Sequence, residues 1–273
     1  MKKLLAIAAL VLTAGLVARI SLAQRRSANP RGFVNSNRNG VPDWKVAEEF
    51  KHDVFTFVRI QYSGYRRRGA WRTDYPDSDL NFSYRLQQLT SLKVDPEGVI
   101  LELTDPRLFD YPFIYIIEPG GLRFTEEEVV ALRKYLLNGG FLMVDDFWGE
   151  REWDNFYHEI KRVFPNREPL ELPYEHPIFH CVYDLAKKPQ IPSIGAAQWG
   201  RASGRTWERE DAREVHYKAL FDDKGRMMSI ICHNTDLGDG WEREGEDPWY
   251  FREFSEKWAY PLGINIVFYA MSH

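Results

Sequence analysis

The stretch TEEEVVALRKYLLNGGFLMV, from Thr125 to Val144, constrains the fold more than any other part of the sequence. Thr125 and Glu128 have the spacing of a capping box, apolar residues recur behind them at helical spacing, and Gly139 ends the pattern. FLMV then follows without a polar break, as in a strand that is covered on both faces. A helix that leads directly into a buried strand is the repeating unit of an α/β sheet.

The same alternation extends over most of the chain. Further strands are predicted at 54–62, 99–103, 113–117 and, as a pair around the turn at 223–225, within 216–232; further helices are predicted at 79–92, 153–163 and 254–271. Strands that alternate with helices at this spacing predict a mostly parallel sheet with right-handed crossovers and helices on both faces.

Composition narrows the class of protein. A chain of 273 residues with 44% hydrophobic and 15% aromatic residues can bury a large core, unlike a disordered protein. The formal charge of −4 and the isoelectric point near 6.0 give no sign of a polycation. We therefore expect no nucleic-acid partner.

The first 23 residues have the three parts of a secretory signal peptide. Two lysines precede an apolar run from Leu4 to Ala18, and Ser21-Leu22-Ala23 supplies the small residues of a cleavage site. Arg19 interrupts the apolar run short of the roughly 20 residues of a spanning helix. We expect a periplasmic or secreted protein with no spanning segment after cleavage, although the sequence leaves open whether the segment is cleaved.

The remaining chain divides into a leader and a single domain. Residues 24–42 are rich in Ser, Asn, Arg and Gly and lack periodic apolar positions, which predicts a flexible leader. Residues 43–273 are expected to form one α/β domain. Cys181 and Cys232, the only two cysteines, could pair in an exported protein or remain separate buried thiols, and both alternatives stay open.

Several motifs resemble, in the same order, those of the bacterial domain-of-unknown-function family 4159. They are DYPDSDLNFSYRL, FLMVDDFWG after LLNGG, HPIF, NTDLGDGWE and PLGINIVFYAM. The resemblance runs from about Val54 to the C-terminus. This family is similar to the class I glutamine amidotransferase-like superfamily, which includes the ThuA-like proteins, and the resemblance therefore implies a flavodoxin-like fold.

The resemblance also bears on activity. In amidotransferases the strand after the Gly-Gly helix end runs into a sharp turn that carries the nucleophilic cysteine, and Asp145 stands about where that cysteine would be. A carboxylate is a poor substitute for a thiolate in acyl transfer, so glutamine hydrolysis is not expected. The resemblance implies a noncatalytic ligand- or protein-binding domain. Its partner would be an envelope protein of the MoxR-type ATPase or von Willebrand A-domain systems, with which similar proteins are associated, or a carbohydrate.

The parallel sheet predicts where a ligand would bind. Ligands of open α/β sheets lie outside the carboxyl ends of the strands. We expect a crevice there with contributions from Glu118, Gly120, Gly121, Asp145, Asp146, Trp148, His176, His233 and Asp236. Neighbouring strand residues point to opposite faces, so one of Asp145 and Asp146 could face the crevice while the other caps the next helix. The alternative that both only cap this helix stays equally open.

Two motifs suggest metal ligands, but neither has a convincing pattern. Pro177 disfavours the helix interior that His176 and His180 would need for shared ligation, so a hydrogen-bonded structural His176 is favoured. Asp236 and Asp239 offer oxygen ligands in a Gly-bearing loop, yet their spacing misses the EF-hand pattern, and Asx-turns stabilise such loops without an ion. We expect no metal and no cofactor.

A hydrolase that acts on carbohydrate or cell-wall material is the alternative function. Asp145 or Asp146 would act as general base, with His176 or Glu118 as its partner, because such hydrolysis needs paired titratable groups and no thiol. Burial against Phe147 and Trp148 would adjust the pKa of the base. Whether the protein is an enzyme stays open.

Overall fold

The computed structural model describes residues 38–50, 53–64 and 69–273. The expected signal peptide and the leader up to residue 37 lie outside the described residues. Arg38, near the end of the expected leader, contacts the domain: its Nη1 donates to the Pro96 carbonyl at 2.6 Å and lies 3.1 Å from Glu97 Oε1. The leader is therefore attached to the domain from this residue onward.

The described residues form a seven-stranded sheet. Its strands are β1 (Val58–Ile60), β2 (Val99–Leu101), β3 (Phe113–Ile117), β4 (Phe141–Asp145), β5 (Leu170–Glu171), β6 (His216–Phe221) and β7 (Met227–His233). Their spatial order is β2-β1-β3-β4-β7-β6-β5. Strands β2, β1, β3, β4 and β7 pair in parallel, whereas β6 and β5 add an antiparallel edge. The predicted α/β class with a mostly parallel sheet is confirmed.

Six α-helices of the described residues are longer than one turn. They are α1 (Asp77–Leu89), α2 (Glu126–Leu137), α3 (Gly149–Val163), α4 (Ile194–Gly200), α5 (Leu237–Glu242) and α6 (Tyr260–Ser272). Helix α6 continues from a short turn, Pro248–Tyr250, and a π-helical stretch, Phe251–Ala259. The capping box of Thr125 and Glu128 is present as predicted. None of the described helices is long and apolar enough to span a membrane.

The side chains of β3 alternate between two apolar cores. Phe113, Tyr115 and Ile117 pack on the face that also carries residues of α1, α5 and α6. Ile114 and Ile116 pack on the opposite face with residues of α2 and α3. The sheet is thus covered by helices on both faces, which explains why β3 reads as a continuous apolar run.

The strand order predicts a ligand-binding crevice at the carboxyl ends of the parallel strands. Strand β2 lies on one side of β1 and β3 lies on the other. The connection that follows β1 therefore leads to one side of it, and the connection that follows β2 leads back to the other side. The space outside the carboxyl ends of β1 and β3 is the place where open α/β sheets bind ligands.

Candidate functional site

Three neighbouring parallel strands end at residues with a left-handed backbone. Glu118 follows β3 with φ 48°, Asp146 follows β4 with φ 55°, and Asn234 follows β7 with φ 61°. Residues other than glycine rarely adopt this conformation, and it persists where the surrounding structure enforces it, often at functional sites. The chain therefore turns sharply three times along the same edge of the sheet.

Glu118 and Asp146 line a cavity of about 240 Å³ at this edge. The other lining residues are Tyr62, Gly64, Ala70, Gly120, Gly121, Trp148, Arg151, Glu152, Glu208 and Arg209. The cavity thus brings together five of the nine residues expected in the crevice: Glu118, Gly120, Gly121, Asp146 and Trp148. A larger hollow of about 850 Å³ adjoins Gly64 but contains none of the nine.

One wall of the cavity is a polar network that the sequence did not indicate. Glu152 Oε2 accepts from the Trp148 backbone N–H at 2.9 Å, and Glu152 Oε1 accepts from Arg209 Nη2 at 2.7 Å. Arg209 Nη1 also donates to the Trp148 carbonyl at 2.8 Å. A Cβ at Gly120 would lie 2.5 Å from Glu152 Cγ, so this glycine lets the loop after β3 approach α3 closely. The wall joins three segments that are distant in sequence.

Asp146 is the carboxylate that faces the cavity. Its Oδ1 accepts a hydrogen bond from Trp148 Nε1 at 3.1 Å, and the side chain is partly exposed. Burial by the surrounding loops, followed by the negative charges of Asp74 and Glu118, raises the pKa of Asp146 well above its ordinary value of 3.8. Asp146 can therefore exchange a proton at a higher pH than an exposed aspartate.

Asp145 is buried, on the sheet face of α1 and α5, and does not line the cavity. Its Oδ2 accepts from the Tyr115 hydroxyl at 3.1 Å and from the Gly238 N–H at 3.0 Å. Its Oδ1 has no hydrogen-bond partner among the described protein groups. Burial raises the pKa of Asp145 to about 7.

Neither aspartate caps the following helix. Trp148 is the N-cap of α3 and makes no side-chain cap bond. The Gly149 N–H instead donates to Asn234 Oδ1 at 2.8 Å, and the Glu150 N–H donates to Asp211 Oδ2 at 3.1 Å. The expectation that one or both aspartates cap this helix is therefore wrong, because distant segments supply the acceptors.

Asp236 lies close enough to Asp145 and Asp146 to interact with their charges. It is the N-cap of α5, where its Oδ1 accepts from the Asp239 N–H at 2.7 Å. Burial, followed by the charges of Asp146 and Asp239, raises its pKa well above the ordinary value. Asp236 thus belongs to a group of buried carboxylates beside the cavity rather than to the cavity lining.

The two predicted histidines do not line the cavity. His233 lies in β7 with its ring 4.8 Å from that of Phe147 and its Nε2 3.2 Å from the Gly149 carbonyl oxygen, and burial lowers its pKa to about 4. His176 Nδ1 accepts from the Ile178 N–H at 3.2 Å, which caps a short 3₁₀ turn, and its ring packs against Tyr269. Both rings fill structural positions.

Three further carboxylates form a group that could hold a metal ion. Asp74, Asp239 and Glu242 each offer an oxygen atom, and these atoms lie within 4.8 Å of one another. Asp239 belongs to the Gly-bearing loop whose oxygen ligands suggest calcium, whereas Asp74 comes from a distant segment. The sequence shows Asp74 only as part of the motif DYPDSDL, where nothing indicates a contact with a helix more than 160 residues away.

Fold and site together define an α/β domain with a small polar cavity at the carboxyl edge of a mostly parallel sheet. A family profile described as "Domain of unknown function (DUF4159)" matches residues 56–271, which is most of the chain. The chain belongs to this family. No curated protein matches it.

Proposed function

We propose that the protein is an exported, noncatalytic binding domain on an amidotransferase-like scaffold, and that its cavity binds a small hydroxyl-rich ligand such as a single sugar unit. The observation that carries this proposal is the convergence of Glu118 and Asp146, both left-handed, on a polar cavity of about 240 Å³. Backbone strain at two non-glycine residues that line the same cavity favours a binding role.

The strand order supports a flavodoxin-like, amidotransferase-like scaffold. Among the parallel strands alone, β2-β1-β3-β4-β7 corresponds to the order 2-1-3-4-5 of flavodoxin-like sheets. The left-handed turn between β4 and α3 is of the kind that carries a nucleophile in strand–turn–helix elbows. Its φ favours Asp146, one residue later than Asp145, as the counterpart of the missing cysteine.

The positions of the two cysteines support the proposal that the protein does not hydrolyse glutamine. Cys232 is buried in β7, and burial raises the pKa of its thiol well above the ordinary value. Cys181 is half-buried, with its Sγ 3.4 Å from the Asn265 carbonyl oxygen. Both are free thiols, and neither lines the cavity.

The size and lining of the cavity support a small hydroxylated ligand. Its volume lies below the roughly 300–1,000 Å³ of pockets for drug-sized molecules. The lining includes Glu118, Asp146, Glu152 and Glu208 as well as Arg151 and Arg209, so residues with carboxylate acceptors and residues with charged donors both border the space. Hydroxyl groups, which donate and accept, suit such a mixture.

A binding screen tests this proposal. Glucose, N-acetylglucosamine, their disaccharides and purified muropeptides would be titrated into the protein by ligand-observed NMR, with intrinsic tryptophan fluorescence as a second signal. Asp146→Asn removes one charged acceptor, and we expect binding to weaken about tenfold or more. Asp223→Asn, in the turn at the opposite edge of the sheet, is the matched control. If no panel member binds, or if both variants bind equally well, the proposal fails.

The carboxylate-dependent hydrolase is kept as a second candidate because of one observation. Asp146 lines the cavity together with Glu118, and its pKa is raised well above the ordinary value, which suits proton transfer at a higher pH than an exposed aspartate allows. Asp146 with Glu118 would be the reacting pair, since His176 caps a turn elsewhere. The same panel would be scored for turnover. Turnover that survives in both Asp146→Asn and Glu118→Gln rules this candidate out.

Export and an envelope partner are proposals that rest on the N-terminal sequence and on the family resemblance. N-terminal sequencing of the mature protein should begin at Gln24, and an intact Met1 in the cytosol would contradict export. Purification from envelope extracts should yield a stoichiometric protein partner, whereas a consistently solitary monomer would count against one.

A further inference from the structure

We propose that Asp74, Asp239 and Glu242 bind one divalent cation that prefers oxygen ligands, namely calcium. The site lies between the segment before α1 and one face of α5, beside the cavity. The proposal does not rest on the function proposed above, because a cation here could organise the domain whether or not the cavity binds a sugar.

The geometry of the three side chains fits such an ion. Asp239 and Glu242 are three residues apart on α5 and therefore share one face of the helix. Asp74 approaches from the segment before α1, and the three ligand oxygens lie within 4.8 Å of one another. Atoms at this spacing lie no further than about 2.8 Å from a common point, close to the 2.3–2.6 Å of calcium–oxygen bonds.

Asp74 supplies an independent indication of a missing ligand. Only 8% of this residue is exposed, yet its Oδ2 has no hydrogen-bond partner among the described protein groups. Buried polar atoms are nearly always paired, and an ion is one of the few explanations for an exception. This oxygen points toward the start of α5, because a Cβ at Gly238 would lie 2.4 Å from it. Gly238 directly precedes Asp239, so the unpaired oxygen lies against the helix that carries the other two ligands.

The net charge of the three carboxylates and their neighbours also favours the binding of a cation. Arg243 is the nearest positive group: its Nε lies 2.8 Å from Glu242 Oε2 and 3.4 Å from Asp239 Oδ1. Three carboxylates and one guanidinium leave a charge of −2, which a divalent cation would neutralise. Arg59, the other nearby cation, is already bound to Asp79.

The donor set favours calcium over the transition metals. All three ligands are carboxylates, whereas zinc sites usually include histidine or cysteine. Calcium tolerates the irregular geometry of side chains from two separate segments better than magnesium, which demands a near-ideal octahedron.

Metal titration of the full chain tests the site. After removal of metals with EDTA and dialysis, terbium would be added as a luminescent probe excited through tryptophan, and calcium would then displace it. Isothermal titration with calcium chloride measures the affinity directly. We expect one ion per chain, and a loss of affinity of about tenfold or more in Asp74→Asn and in Glu242→Gln. Glu244→Gln, two residues away and bound to Arg85, is the matched control and should keep the wild-type affinity.

Thermal melting separates a metal site from a merely structural cluster. In EDTA, Asp74→Asn should melt at a higher temperature than the wild type, because it removes one of three neighbouring carboxylates that repel one another when no cation is bound. Calcium should raise the melting temperature of the wild type and of Glu244→Gln but not that of Asp74→Asn. The proposal is overturned if calcium neither binds nor shifts the melting temperature of the wild type, or if Glu244→Gln loses as much affinity as Asp74→Asn. Tighter binding of magnesium or manganese would overturn the assignment to calcium.

Discussion

Asp145 and Asp146 are adjacent in sequence but occupy different environments, because β4 ends between them. Asp145 keeps the strand alternation and points inward to the Tyr115 hydroxyl, whereas the left-handed φ of Asp146 turns the chain out of the sheet. The inner carboxylate is fully buried and the outer one faces the cavity. Burial raises the pKa of both, so near neutral pH the two adjacent carboxyl groups need not both be charged.

The buried carboxylate should make the protein less stable as the pH rises. Asp145 has a pKa of about 7 in the folded protein against 3.8 ordinarily, so the folded state binds more protons between these values and the free energy of unfolding falls as the pH increases through them. Asp145→Asn removes this titration, while its amide oxygen can still accept from Tyr115 and Gly238. We expect the drop in melting temperature between pH 5 and pH 8 to shrink by on the order of 5 °C.

Melting curves followed by circular dichroism at several pH values measure this effect. Asp105→Asn is the control, because Arg107 lowers the pKa of Asp105 and its titration therefore lies below this pH range. The control should keep the wild-type drop. An Asp145→Asn protein that shows the same drop as the wild type would contradict the assignment of a raised pKa.

Part of the cavity could be predicted from the sequence because strand ends are visible there. Glu118, Gly120, Gly121, Asp146 and Trp148 all follow apolar runs that read directly as strands. The opposite wall could not be predicted. Glu152 and Arg209 are 57 residues apart, and Arg209 lies in a segment without periodicity, so no local signal indicates that they meet.

At the scale of the elements, the left-handed residue after β7 connects two parts of the sheet edge. Asn234 is buried, its Oδ1 accepts from the first N–H of α3, and its Nδ2 donates to the Glu214 carbonyl at 2.7 Å. One side chain therefore caps a helix, fixes a loop and tolerates a positive φ, which asparagine does better than most residues.

Replacement of Asn234 should cost more than loss of an ordinary helix cap. Asn234→Ala removes one buried and one partly buried hydrogen bond and leaves alanine in the left-handed region, so we expect a loss of about 3 kcal/mol in the free energy of unfolding. Thr125→Ala removes one partner of the α2 capping box and should cost about 1 kcal/mol. Asn234→Gly, which keeps the backbone conformation, should fall between them. Urea unfolding ranks the three variants, and equal costs for the two alanine variants would refute this role for Asn234.

Elements whose ends are marked by neighbouring residues in the sequence have the predicted bounds, whereas the bounds of the other elements differ from the prediction. Strand β3 was predicted at 113–117 and has these bounds, and the capping box fixes the start of α2. Helix α3 begins at Gly149, four residues before its predicted start, because Asn234 and Asp211 supply acceptors that are distant in sequence. Strand β1 is limited to Val58–Ile60 within the predicted 54–62.

At the scale of the whole molecule, one buried arginine ties the sheet to the segment that carries Asp74. Arg59 in β1 has no exposed surface, and its guanidinium contacts Asp79 and the Ser78 hydroxyl. It also donates to the carbonyls of Trp71 and Thr73, each at 3.0 Å. Burial of Arg59 could not be predicted from the sequence, since a charged residue in an alternating strand usually faces solvent.

Removal of this arginine should therefore affect both stability and the cation site. Arg59→Met leaves Asp79 buried without its partner, and we expect a loss of about 3–5 kcal/mol in the free energy of unfolding, whereas Arg59→Met/Asp79→Leu should recover most of it. Urea unfolding of both single variants and the double variant gives the coupling energy.

Calcium titration of the folded double variant should still show weaker binding than the wild type, because the Trp71 and Thr73 carbonyls that position Asp74 have lost their donor. Arg59 does not have this positioning role if the double variant binds calcium as tightly as the wild type. The same holds if its loss in the free energy of unfolding equals the sum of the losses in the two single variants.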